Sequence, residues 1–297
     1  MGDHLVLPDQ GSLMMKRWGS YFLIAVSLCS CGLFNKSKYS GIKFDSSVPD
    51  DQKQLLIGDL QTIDSLTFSG VTQDDLNKIG LASLSADSLT QFLLARVKYI
   101  VGEGYDSSKQ KIVVSNNFYY YPTKWASTDA FFDRVVTVMS NTGGAVYLSG
   151  KENNTLYSLK VDGDEVLVNS PRVGVIKIGA GLFSNSRSKS FPSDSLATRL
   201  IRLGTLFHES RHSDGNGSNA AFPHAQCTSG DFSGHYACEA NLNGPYNLEA
   251  MLLKHFYRSC YGCSESELSA IQVSAADAAS RLQYGARFQD PQPEYVK

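Results

Sequence analysis

Apolar residues recur at helical spacing in two stretches of the N-terminal third, DDQKQLLIGDLQTIDSL (Asp50–Leu66) and SADSLTQFLLARVKYIV (Ser85–Val101). Each begins at an Asp or Ser able to cap a helix. The run KIVVS (Lys111–Ser115) predicts a strand, and the aromatic cluster FYYYP (Phe118–Pro122) reads as an aromatic strand after it. STDAFFDRVVTVMS (Ser127–Ser140) returns to helical periodicity and stops at Asn141-Thr142-Gly143-Gly144. A β-rich block follows, with AVYLSG, TLYSLKV, EVLVN and VGVIKIGAGLF separated by turns containing Asn and Gly. Pro192-Ser193-Asp194 ends it and caps a helix predicted from about Ser195 to His212, with Leu196, Leu200, Leu203 and Phe207 as its buried stripe. A loop rich in Gly, Ser, Asn and Asp is expected out to about Gly244. Two helices then close the chain, NLEAMLLKHFYRSC and a second from about Ser264 to Gln283. The pattern predicts an α+β protein, with a helical subdomain over 49–104, a larger domain over 105–297 and a soft boundary near Tyr105.

The apolar run YFLIAVSL (Tyr21–Leu28) is different in kind. It follows Met14-Met15-Lys16-Arg17 and leads into Cys29-Ser30-Cys31-Gly32. A short basic region, an apolar core and small residues make a secretory signal, and the run falls short of the about 20 apolar residues that span a bilayer. Asp3 and Asp9 precede the basic pair, which points to a translation start at Met14 or Met15. The ending Leu28-Cys29-Ser30-Cys31 resembles the bacterial lipobox, which implies a segment 1–31 with Cys31 as the lipid-modified residue and a tether over 32–48. The chain is then expected to be exported and lipid-anchored at the bacterial cell envelope. Simple secretion after cleavage near Ser30 is the alternative.

Composition narrows the classes further. Hydrophobic residues at 42% and charged residues at 19% are globular values. The net charge of −2 and the absence of any basic run give no sign of a nucleic-acid partner. Cys227, Cys238, Cys260 and Cys263 remain after the signal, an even number that suggests two disulfides in an exported chain. The pairing of shortest loops is Cys227–Cys238 with Cys260–Cys263. A four-cysteine zinc site and a redox role for the CYGC segment are weaker readings, the latter because no thioredoxin-like βαβ pattern surrounds it.

Candidate chemistry concentrates in GTLFHESRHSDG (Gly204–Gly215), where five of the six histidines begin to crowd into 208–255. His208 and His212 are one helical turn apart, so both imidazoles project from one side. That spacing lets two nitrogens hold one metal at about 2.0–2.1 Å. Glu209, rotated about 100° from His208, flanks such an ion and can take a proton from its bound water. A solvated helix end with incidental histidines is the competing view.

On these residues the chain resembles the zincin-type metallopeptidases, whose HExxH motif His208, Glu209 and His212 match. The resemblance covers roughly Gly144–Cys263, but its specific part is five residues. It implies a mixed sheet over the active-site helix, to which the periodic pattern adds helices at both ends, with Zn2+ as cofactor and an edge strand aligning extended substrate, for which Val173–Leu182 is the candidate. Ser218 stands where a metzincin extension wants His or Asp, so a gluzincin-type layout is favoured, with Glu249 as third ligand. His224 is the alternative, with His235 or Asp231 behind it. Asp214 is a candidate to orient a ligand histidine. Arg211 could pair with Asp214 or with substrate, a surface salt bridge being the plainer role. Tyr246 and Tyr236 are candidate oxyanion donors.

The implied function is a zinc metallopeptidase acting on peptides, proteins or peptidoglycan peptides, with Glu209 as general base on metal-bound water. The alternative is a non-catalytic surface lipoprotein that binds a partner and uses its metal structurally.

Overall fold

In the computed structural model, the described residues are 38–105, 111–113, 119–120, 145–147, 156–169, 174–183, 191–214, 222, 224–230 and 232–288. The signal segment with Cys31, the predicted helix over 127–140, Ser218 and Asp231 lie outside them. The helices are α1 (Asp50–Thr62), α2 (Gln73–Ile79), α3 (Ala86–Arg96), α4 (Leu196–Arg211), α5 (Pro245–Ser259) and α6 (Glu265–Ser280). The strands are β1 (Lys43–Phe44), β2 (Tyr99–Val101), β3 (Lys111–Val113), β4 (Tyr119–Tyr120), β5 (Ala145–Tyr147), β6 (Leu156–Val161), β7 (Asp164–Asn169), β8 (Val175–Ile178), β9 (Ala225–Gln226), β10 (Tyr236–Asn241) and β11 (Leu282–Arg287). The protein is α+β, as the pattern predicts.

A mixed sheet has the order β1-β2-β8-β5, parallel except for β5. A second sheet, β4-β3-β6-β7, is antiparallel, and its β6–β7 hairpin turns at Asp162-Gly163 with positive φ at both residues. That backbone suits the right-handed strand twist. The third sheet, β11-β10-β9, stands beside α5 and α6.

One core joins the helices and the mixed sheet. Leu56 and Leu60 of α1, Leu89 and Phe92 of α3, Val175 and Ile176 of β8, Leu200 and Phe207 of α4, and Leu252 and Phe256 of α5 share one buried cluster. Residues 38–297 accordingly form one compact unit. The stripe predicted for α4 is buried at Leu200, Leu203 and Phe207 and half-buried at Leu196. Among the described residues no helix is long and apolar enough to cross a membrane.

Several expectations shift. Residues 38–48, read as tether, contribute β1 and bury Tyr39, Ile42 and Val48. The helix expected over Ser85–Val101 ends at Arg96, because the amides of Lys98 and Tyr99 bond to Gly174 and draw the β-branched tail into the sheet. Helix α2 was not expected, although its Thr72/Asp75 capping box and left-handed Gly80 are legible in TQDDLNKIG. The loop expected before Gly244 contains β9 and β10, and the last helix stops at Ser280 so that β11 can pair with β10. Strand β8 is not the edge strand proposed for Val173–Leu182. It pairs with β2 on one side and β5 on the other, leaving β1 and β5 at the edges.

Two buried charge sets tie the helices around α4 and α5. Arg202 of α4 donates through Nε and Nη2 to Asp59 of α1, both at 2.7 Å, with neither side chain more than 2% exposed. Removing one partner strands a buried charge, so Asp59→Ala is expected to cost about 3–5 kcal/mol in denaturant unfolding. Asp75 of α2 accepts from Lys254 of α5 at 2.9 Å and lies 3.4 Å from His255. Burial opposes its ionisation, but the Lys254 ammonium and the Thr72 amide and hydroxyl outweigh that and hold it below the usual carboxylate range. A depressed native pKa stabilises fully above the unfolded value of about 4 and is lost as pH falls below it. Asp75→Asn is therefore expected to lose about 1–2 kcal/mol at pH 7. That gap should close as unfolding is followed down towards pH 2.

Candidate metal centre

The motif occupies the last turn of α4. Ser195 caps the helix by accepting from the Thr198 amide, and His212 is the C-cap, opening a 3-10 turn through Asp214. His208 and His212 project together as their spacing requires, with ring centres 5.3 Å apart. His224 comes from the chain entering β9. Its ring centre is 5.2 Å from that of His208 and 4.7 Å from that of His212. Two restraints hold this segment: Phe222, fully buried, and the Cys227–Cys238 disulfide, which ties the residue after β9 to β10. Cys260 and Cys263 form the other bridge, so both pairs are those of shortest loop.

One ligand atom from each of His208, His212 and His224 lies within 4.8 Å of the other two. Nε2 of His208 and Nε2 of His224 are 3.4 Å apart. Two nitrogens bound tetrahedrally at about 2.0–2.1 Å would be separated by about 3.3 Å. The other nitrogen of His208, Nδ1, donates to Glu249 Oε2 at 3.0 Å. This fixes the tautomer so that the Nε2 lone pair faces the cluster. Nδ1 of His224 is buried with no hydrogen-bond partner among the described residues. A donor set of three imidazoles, one oriented by a carboxylate, fits zinc.

The packing of α4 on α5 sets this geometry. A Cβ at Gly204 would lie 3.0 Å from Leu253, so the helices touch almost backbone to side chain there. Four residues on along α4 and four back along α5, His208 meets Glu249. The two helices thus run antiparallel, and the glycine sets how near the carboxylate comes. Tyr246, in the first turn of α5, packs its ring 4.4 Å from that of His208 and 4.7 Å from that of His224. Burial pushes its hydroxyl up to about 12, so it remains protonated.

The electrostatics follow from burial. His224 is driven well below the ordinary histidine range by burial and by the neighbouring His212 and His208. Burial also acts against charge on His208, but Glu249, through its hydrogen bond, and Glu209 outweigh it and raise the pKa. Glu209 is half-buried beside the cluster, close enough to act on both His208 and Tyr246.

The remaining sequence candidates separate. Glu249, the favoured third ligand, stands behind His208, and His224 takes the place beside the two helix histidines. His235 is exposed, before β10. The side chain of Tyr236 lies outside the described atoms. Asp214 accepts from Arg211 at 2.9 Å and from Arg96 at 2.7 Å. Arg211 is not a surface residue. It is fully buried, also donates to the Ile79 carbonyl, and locks the end of α4 to the end of α2.

Sequence reasoning missed Glu239. This strand residue is fully buried and accepts from the amides of Asn241 and Tyr246 at the N-terminus of α5. Burial raises it to about 7. A Cβ at Gly244 would fall within 2.2–2.4 Å of its carboxyl, so glycine is required there. No signal marked it, because its segment read as loop. Compared with known family models, curated proteins and solved structures, the chain matches none.

Proposed function

We propose that this protein is a zinc-dependent hydrolase of peptide bonds, with a zincin-like catalytic core and a lipid anchor at Cys31 holding it at the bacterial envelope. The observation that supports this reading most is the convergence of His208, His212 and His224, with Glu249 behind the first and Glu209 beside them. Those three histidines would hold the ion. Bound zinc supplies a Lewis acid that polarises a carbonyl and lowers the pKa of water to about 7.

The chain's own groups do the rest. Glu249 keeps the proton on Nδ1 of His208, leaving Nε2 as a donor of its lone pair. Glu209 accepts a proton from the attacking water and returns it to the leaving amine. Tyr246, neutral at any physiological pH, supplies an O–H donor for the developing oxyanion. Strand β5, an edge of the mixed sheet packed against α4, takes the role of aligning an extended peptide by main-chain hydrogen bonds.

Peptides and proteins are the first substrate class, and the peptides of peptidoglycan the second. Purified protein is expected to cleave an unstructured peptide mixture, lose that activity with a chelator and regain it with stoichiometric zinc. Zinc bound without hydrolysis of either class would favour the partner-binding lipoprotein instead.

A further inference from the structure

Arg281 ends α6 and leads into β11. A cation at a helix C-terminus is favourable in itself, yet its surroundings indicate more. The guanidinium carbon lies 3.5 Å from the centre of the Phe232 ring and 5.4 Å from that of Tyr246. Since Tyr246 packs on His208 and His224, the cation stands one aromatic ring away from the imidazole cluster. Its charge is among those that keep His224 neutral.

Its in-plane partners are few and distant. Nη1 donates to the Ala237 carbonyl at 3.3 Å, Nη2 lies 3.5 Å from Asp277, and Nε is buried with no acceptor among the described residues. Arg202 shows what a satisfied guanidinium looks like in this protein, with two bonds of 2.7 Å to one carboxylate. At 11% side-chain exposure, Arg281 has lost most of its hydration without such compensation. Nε is closed off from any ligand, but Nη1 and Nη2 each carry a second N–H beyond their one long contact among the described residues, and such a pair beside a reaction site is suited to one kind of ligand, a carboxylate held by parallel hydrogen bonds.

We propose that Arg281 is a specificity-determining residue that receives a carboxylate of the substrate, either the peptide's C-terminus or an Asp or Glu side chain near the cleaved bond. This rests on the hydrolase reading above. Phe232, 41% exposed, supplies an apolar surface against the same guanidinium and keeps its plane in position.

The test uses zinc-loaded full-length protein and synthetic peptides in four forms. Each carries a free or amidated C-terminus, combined with Glu or Gln beside the cleaved bond. Wild type is expected to cleave one carboxylate-bearing series with kcat/KM about tenfold or more above its neutral counterpart. Arg281→Gln should bring that ratio to near one by slowing the charged series, and Arg281→Lys should retain part of it. The series that responds identifies the carboxylate. A ratio near one in wild type, or a ratio unchanged in Arg281→Gln, overturns the proposal, and a purely structural role predicts the second outcome. Should Arg281→Gln fail to fold, wild type and Arg281→Lys decide by the same ratio. If zinc-loaded wild type cleaves no peptide, the hydrolase reading fails and this inference with it.

Discussion

Glu209→Gln is expected to lower peptide hydrolysis by about 10²–10⁴-fold while zinc content and unfolding midpoint stay at wild-type values. The amide is nearly isosteric with the carboxyl but cannot accept a proton at neutral pH. Glu209 is half-buried at the last turn of α4 and is not among the convergent nitrogens, so its replacement leaves the ligand set intact. Metal analysis beside steady-state kinetics checks both halves. Full activity in this variant rules out the proton role, and loss of zinc would show that Glu209 belongs to the ligand set.

Much of this site could be read along the chain because it is local. His208, Glu209 and His212 sit on one helical turn, where periodicity alone decides which side chains face together. The caps of α4 and the apolar stripe behind it are equally local signals. What escaped reading depends on distant segments meeting. Glu249 lies one turn further along α5 than Pro245, and only the close approach at Gly204 and Leu253 puts it against Nδ1 of His208 rather than beside Nε2. His224 arrives from a segment that looked like loop, because β9 and β10 are short and hydrophilic and are held by pairing and a disulfide. Glu239 and Arg281 carry no pattern at all. Their environments come from burial under α5 and from the rings of Phe232 and Tyr246. The position of β8 inside its sheet was likewise unreadable, since its neighbours β2 and β5 are three residues each and β2 falls in a stretch whose periodicity reads as helix.

His224→Ala and Glu249→Ala are expected to part company. His224 supplies one of three convergent nitrogens, and without it two imidazoles remain on one helix turn. Stoichiometric zinc should be lost at micromolar metal, and hydrolysis with it. Glu249 acts through the hydrogen bond that orients His208, so its removal should weaken zinc about 10–100-fold and leave a site that excess metal refills. Competition with a chromophoric chelator measures both. The opposite order, with Glu249→Ala empty and His224→Ala filled, would restore the glutamate as ligand and require α5 to stand differently against α4. The Cys227–Cys238 bridge gives a further control, because both variants leave it in place.

X-ray absorption at the zinc edge of purified wild-type protein tests the central claim most directly. One zinc per chain is expected, with a shell containing three imidazole nitrogens at about 2.0–2.1 Å and no sulfur. Folded protein that takes up no zinc, or a shell with sulfur at about 2.3 Å and fewer than two imidazoles, would contradict it.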